Sequence, residues 1–111
     1  MDVIYDIIII IWLHFIADFV LQSDYVANGK SSNNKILAGH VLLYGLPFYW
    51  FGAWFAVVNM VAHFMTDWVT SRVTSWLWQH YKRHWFFVTI GFDQAVHMTT
   101  LLMTYKYLVM N

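Results

Sequence analysis

A chain of 111 residues holds one domain, and this one is 60% hydrophobic, 21% aromatic and only 11% charged, whereas an ordinary soluble domain carries about 25% charged residues. Six Lys and Arg balance six Asp, so there is no excess positive charge to draw in nucleic acid or an acidic surface. The absence of cysteine removes disulfides, thiolate zinc sites and cysteine nucleophiles.

The first apolar run, residues 4–22, is broken only by Asp6, His14 and Asp18 and approaches the roughly 20 residues needed to span a bilayer. It lacks a basic leader and a small-residue cleavage site, so it reads as a retained helix rather than a signal peptide. The polar stretch 23–35 is the longest loop, with Asp24 expected to cap a short turn that ends at Gly29. A second helix is expected over 36–50, with the turn at Tyr49 to Gly52. A third is expected over 53–78 and a fourth over 85–108, joined by the polar link 79–84. The expectation is an all-α integral membrane bundle of four transmembrane helices.

Lys30, Lys35, Lys82 and Arg83 lie in the loops after the first and third spans, while the opposite side carries little beyond Lys106. The positive-inside rule then puts loops 23–35 and 79–84 in the cytoplasm and both termini outside, in a bacterial inner membrane. Tyr5, Tyr49, Trp50, Trp54, Tyr105 and Tyr107 form one aromatic belt; Tyr25, Trp76, Trp78, Tyr81 and Trp85 form the other.

Within the spans stand His14 and Asp18, His40, His63 and Asp67, and Asp93 and His97. Three helices carry His and Asp at i and i+4, which places both side chains on one face. Counting about 1.5 Å per residue from the cytoplasmic ends puts Asp18 roughly 8 Å deep and Asp67 and Asp93 roughly 12–15 Å. His14 falls at roughly 13 Å, His63 and His97 at roughly 18–20 Å, and His40 shallowest at roughly 6 Å. The order His-then-Asp reverses in the fourth, oppositely running helix, so the three pairs form one layering. Residues 13–20 also match residues 62–69 in pattern, 49 positions on, which points to a duplicated helical hairpin.

An Asp at the centre of a membrane helix costs about 2.5–3.5 kcal/mol, so three cost roughly 7–10 kcal/mol. Polar contacts between membrane helices average only about 0.6 kcal/mol, too little for the cluster to be mere packing glue. His and Asp without Cys suit zinc, manganese, iron or nickel, as one ion or two. The expected ligands are His14, His63 and His97 with Asp18, Asp67 and Asp93, and His40 as a further donor. An aspartate off the metal is available as general base. Gln22, Asn59 and Gln94 continue the polar faces as supporting groups, and Arg72, Lys30 and Lys35 are candidates to receive a phosphate or anionic headgroup. His80 and His84 belong to the solvated link and stay outside the site.

Leu13-His14-Phe15-Ile16-Ala17-Asp18-Phe19-Val20-Leu21-Gln22, Gly39-His40, His63 to Asp67 and Phe92-Asp93-Gln94-Ala95-Val96-His97 together resemble the bacterial and phage membrane proteins catalogued as domain of unknown function number 3307. The resemblance covers nearly the whole chain and implies a short multi-helix membrane protein with no assigned reaction. From the residues themselves, the leading reading is a divalent-metal-dependent membrane hydrolase of a lipid-linked or phosphorylated substrate. Beside it stand a small ion, proton or metal transporter, working as a homo-oligomer because four short helices enclose little space, and a structural or regulatory protein with a polar packing core.

Overall fold

The structure, a computed structural model, describes residues 2–110; among them every regular element is helical and there is no strand. Helix α1, Val3–Phe15, begins where the extended Asp2 accepts a hydrogen bond from the Ile4 amide, which satisfies one of the free first-turn N–H groups. It continues without a break into a π-helical turn, Ile16–Val20, that carries Asp18. The short helix α2, Asp24–Gly29, is capped by Ser23 rather than by Asp24. Ser23 has the extended backbone that a cap needs and its Oγ accepts from the Val26 amide, whereas Asp24 is already helical.

Helix α3, Asn34–Gly45, starts at Asn33, whose side chain accepts from the Lys35 and Ile36 amides. It tightens into a 3-10 segment, Leu46–Phe51, at Pro47, where the missing proline N–H falls at a position that tolerates its loss. Twelve residues of α3 at about 1.5 Å and six of 3-10 helix at about 2.0 Å reach roughly 30 Å. Gly52, with φ 123° and ψ 152°, turns the chain into helix α4, Ala53–Gln79. A link through Tyr81, at φ 58°, leads to helix α5, Arg83–Thr104, which ends in a second π-helical turn, Tyr105–Val109.

Helix α4 is central and packs against both α3 and α5. Gly45 sits so close to α4 that a Cβ there would lie 2.2 Å from Met60 Cγ, the close approach that small residues permit between apolar helices. One end of the bundle holds both chain ends and the Leu46–Phe51 segment; the other holds α2 and the Tyr81 link, and is called here the loop end. Toward the first, Ile10, Phe48, Phe55, Ala56, Leu101 and Tyr105 form a closely packed apolar core. Tyr105, expected in the outer aromatic belt, is instead buried there and donates its hydroxyl hydrogen to Asp6.

Val3–Val20 and Arg83–Val109 are long and apolar enough to cross a membrane. The other two expected spans fall short of that mark for separate reasons. Helix α3 alone is too short without its 3-10 extension, and α4, 27 residues long, is diluted by the polar side chains that it turns inward.

The backbone at Gly52 lies in a region that only glycine occupies readily, while a Cβ there would meet nothing within 4 Å. Gly52→Ala is therefore expected to destabilise the protein by about 1–3 kcal/mol through backbone strain alone, read as a lower midpoint of unfolding in detergent.

Candidate metal centre

Four side chains converge at the middle of the bundle. The π turn carries Asp18 toward α3, which contributes His40, and α4 contributes His63 and Asp67. His40 Nε2 lies 3.0 Å from Asp18 Oδ1 and 3.6 Å from Asp67 Oδ2. His63 Nε2 lies 3.4 Å and 3.2 Å from the same two oxygens, and the two ring nitrogens are 3.2 Å apart. All four residues are buried. His63 is held between the rings of Tyr44 and His97, each stacked on it at 4.0 Å, so its Nε2 has little freedom to turn away.

Those five contacts cannot all be hydrogen bonds. The two Nε2 atoms carry at most one hydrogen each, and ionised carboxylates carry none, so at least three contacts lack a hydrogen to share. A cation at the centre removes the conflict, because all four atoms are then donors to it. A tetrahedral ion with ligands about 2.0–2.1 Å away sets its ligands about 3.3–3.4 Å apart. The observed separations of 3.0–3.6 Å bracket that value.

A second group, Asp18, Asp93 and His97, is also close enough to hold an ion, but its hydrogen bonds are already made. The Gln94 amide donates to Asp18 Oδ2 at 3.3 Å and to Asp93 Oδ2 at 3.2 Å. His97 Nε2 lies between Asp93 Oδ2, at 3.1 Å, and Asp67 Oδ1, at 3.3 Å, and Thr70 donates to Asp93 Oδ1. These contacts orient Asp18 and Asp67 from behind, the support that ligating carboxylates need.

His14 stands one step away from the four-donor group. Its Nδ1 contacts the Tyr44 hydroxyl at 2.9 Å, its Nε2 contacts Gln94 Oε1 at 2.6 Å, and Asp18 is 3.9 Å off. His40, which residue counting placed shallowest, is level with His63. Gln22 and Gln94 border the site, whereas Asn59 is nearer the chain ends, bonded to the Phe55 carbonyl and Thr104. Tyr44 and Thr70 are site residues that the sequence reading passed over. Tyr44 follows His40 by four positions, the same spacing that marks Gln22 after Asp18.

A cavity of about 530 Å³ reaches the centre from the loop end, with Asp18, Asp67 and Asp93 at its floor. Of the three cations proposed to meet an anion, only Lys30 lines it, with Nζ 3.0 Å from Asp67 Oδ2. Arg72 stacks on Trp68 and donates to Asn34, and Lys35 is exposed.

An all-helical protein built around a buried His and Asp cluster is the class that fold and site define. The chain belongs to the family described as Protein of unknown function (DUF3307), whose model matches residues 7–111. No curated protein and no solved structure matches it.

Among the described residues Lys30 is the one Lys or Arg side chain that touches the Asp67 carboxylate, with Nζ 3.0 Å from Oδ2. Lys30→Met is therefore expected to destabilise the metal-free protein by about 3 kcal/mol, measured by denaturant titration in detergent after chelation.

Proposed function

We propose that the chain is a four-span integral membrane protein and a single-metal hydrolase of a lipid-linked or phosphorylated substrate. The observation that carries this reading is the set of four buried donors, five of whose separations match those of a tetrahedral ion's ligands, beside a cavity that reaches the loop end.

The membrane part draws on the inverted distribution of side chains. Buried residues comprise ten hydrophobic and ten polar or charged ones, while Ile11, Trp12, Phe15, Val61, Met65, Trp68 and Phe92 face outward. In water that arrangement would be unstable; in lipid it is the expected one. Helix α3 with its 3-10 extension matches the roughly 30 Å hydrocarbon thickness, and the 47 Å long axis matches a bilayer with its headgroups. Exposed Trp50 and Trp54 lie at one end, and Tyr25, Tyr81 and Trp85 at the other. The loop end carries Lys30, Lys35, Lys82 and Arg83, which supports a cytoplasmic mouth for the cavity.

Zinc fits two imidazoles and two carboxylates best, ahead of manganese, iron or nickel, which favour more ligands. Four protein donors leave a tetrahedral ion no open position, so a divalent ion held here would polarise the scissile bond and lower the pKa of water only by taking a fifth ligand or by displacing one carboxylate. Asp93 lines the cavity outside the four-donor group and serves as general base, held in place by Thr70 and His97. Lys30, on the cavity wall beside Asp67, would be free to meet the substrate's anionic oxygens if that carboxylate were held by an ion. The apolar core beyond Tyr44 closes the far side, which weighs against a conducting path for ions or protons.

Elemental analysis tests this. After chelation and zinc reconstitution, wild type should hold about one ion per chain, the double variant His40→Ala, His63→Ala should hold none, and His14→Ala should hold nearly the wild-type amount. A wild type that holds no ion, or a His14→Ala variant as empty as the double one, overturns the assignment.

A further inference from the structure

Among the described residues, two that line the cavity hold a buried polar atom without a hydrogen-bond partner: Gln22 at Oε1 and Ser71 at Oγ. Ser71 is 7% exposed, and its neighbours on α4 are engaged, Thr70 with Asp93 and Thr74 with the Ser71 carbonyl. A buried polar group without a partner is costly, and it is rare unless something else supplies the bond.

Their positions are related. Gln22 follows Asp18 by four residues and Ser71 follows Asp67 by four, and they stand 49 positions apart, the offset of the repeated His-x-x-x-Asp pattern. The same repeat that supplies two aspartates to the centre thus supplies two unpartnered groups to the cavity. One comes from the first helix and the other from α4.

We infer that Gln22 and Ser71 form a clamp for the hydroxyl-bearing head of an amphiphile. An amide oxygen only accepts, so the group facing Gln22 must donate a hydrogen; a serine hydroxyl both donates and accepts. An O–H on a polyol satisfies both walls, and a quaternary ammonium satisfies neither. Phe19, Trp78, Phe86 and Ile90 supply apolar surface among the polar side chains of the wall, which suits a hydrocarbon chain attached to that head. The inference rests on the preceding reading for the side from which a ligand arrives, and it does not require the metal.

The test is competition between two lipids of equal charge and chain, phosphatidylglycerol and phosphatidylmethanol, which differ in head-group hydroxyls. They are offered together to full-length protein in a polyoxyethylene detergent, and retained lipid is read by native mass spectrometry. Wild type should retain phosphatidylglycerol about tenfold over phosphatidylmethanol, the worth of one or two ordinary hydrogen bonds. The preference should fall to about threefold in Gln22→Leu or Ser71→Ala and vanish in the double variant, with helix content by circular dichroism unchanged. Excess glycerol phosphate that displaces the lipid assigns recognition to the head alone; failure to displace assigns part of it to the chain. Equal retention by wild type, or full preference in the double variant, overturns the clamp. The metal reading is judged separately on the same preparations: metal bound without lipid preference defeats the clamp alone, and preference without metal defeats the metal centre alone.

Discussion

The arrangement turns on a shortage of hydrogens. Two imidazole nitrogens and two carboxylate oxygens are packed into a space the size of one ion, and no choice of tautomer lets all of them bond to one another. The surroundings press them together rather than relieve them. Tyr44 and His97 sandwich His63, Gln94 ties Asp18 to Asp93, and His97 holds the far oxygen of Asp67. A shared positive charge stabilises such a constellation, and Lys30 already lends one to Asp67.

The repeated pattern of residues 13–20 and 62–69 keeps its His and Asp buried in both stretches, while of the positions between them Ala17 alone is buried and the rest face outward or partly so. The copies are nonetheless put to different uses. In the second, α4 stays regular, so His63 and Asp67 reach the same centre at 3.2 Å. In the first, the π turn separates the pair to 3.9 Å, sending Asp18 to the centre and leaving His14 with Tyr44 and Gln94. Single π turns of this kind are frequent at functional sites.

Much of this was legible in the sequence because membrane-like composition makes every inward polar residue conspicuous. The all-helical fold, the involvement of His40, His63, Asp18 and Asp67 and the family resemblance follow from periodicity and motif. What was not legible has local causes. A π turn has no composition signal in Ile16–Val20, so the departure of His14 was hidden. The depth count for His40 assumed a helix beginning at Ile36, whereas Asn33 caps it earlier. Tyr44 was hidden because a tyrosine in an apolar run is ordinarily a packing residue. The place of Arg72 was hidden because helical spacing cannot say whether a side chain turns to a cavity or, as here, lies back over Trp68.

The apolar core between the centre and the chain ends has a consequence for traffic. Were the cavity a ligand's route, this core would make it a dead end, and whatever arrived would leave by the way it came, past Lys30, Ser71 and Gln22. Arrival and departure would then compete for a single passage, and whatever lingered on the way out would delay whatever waited to come in.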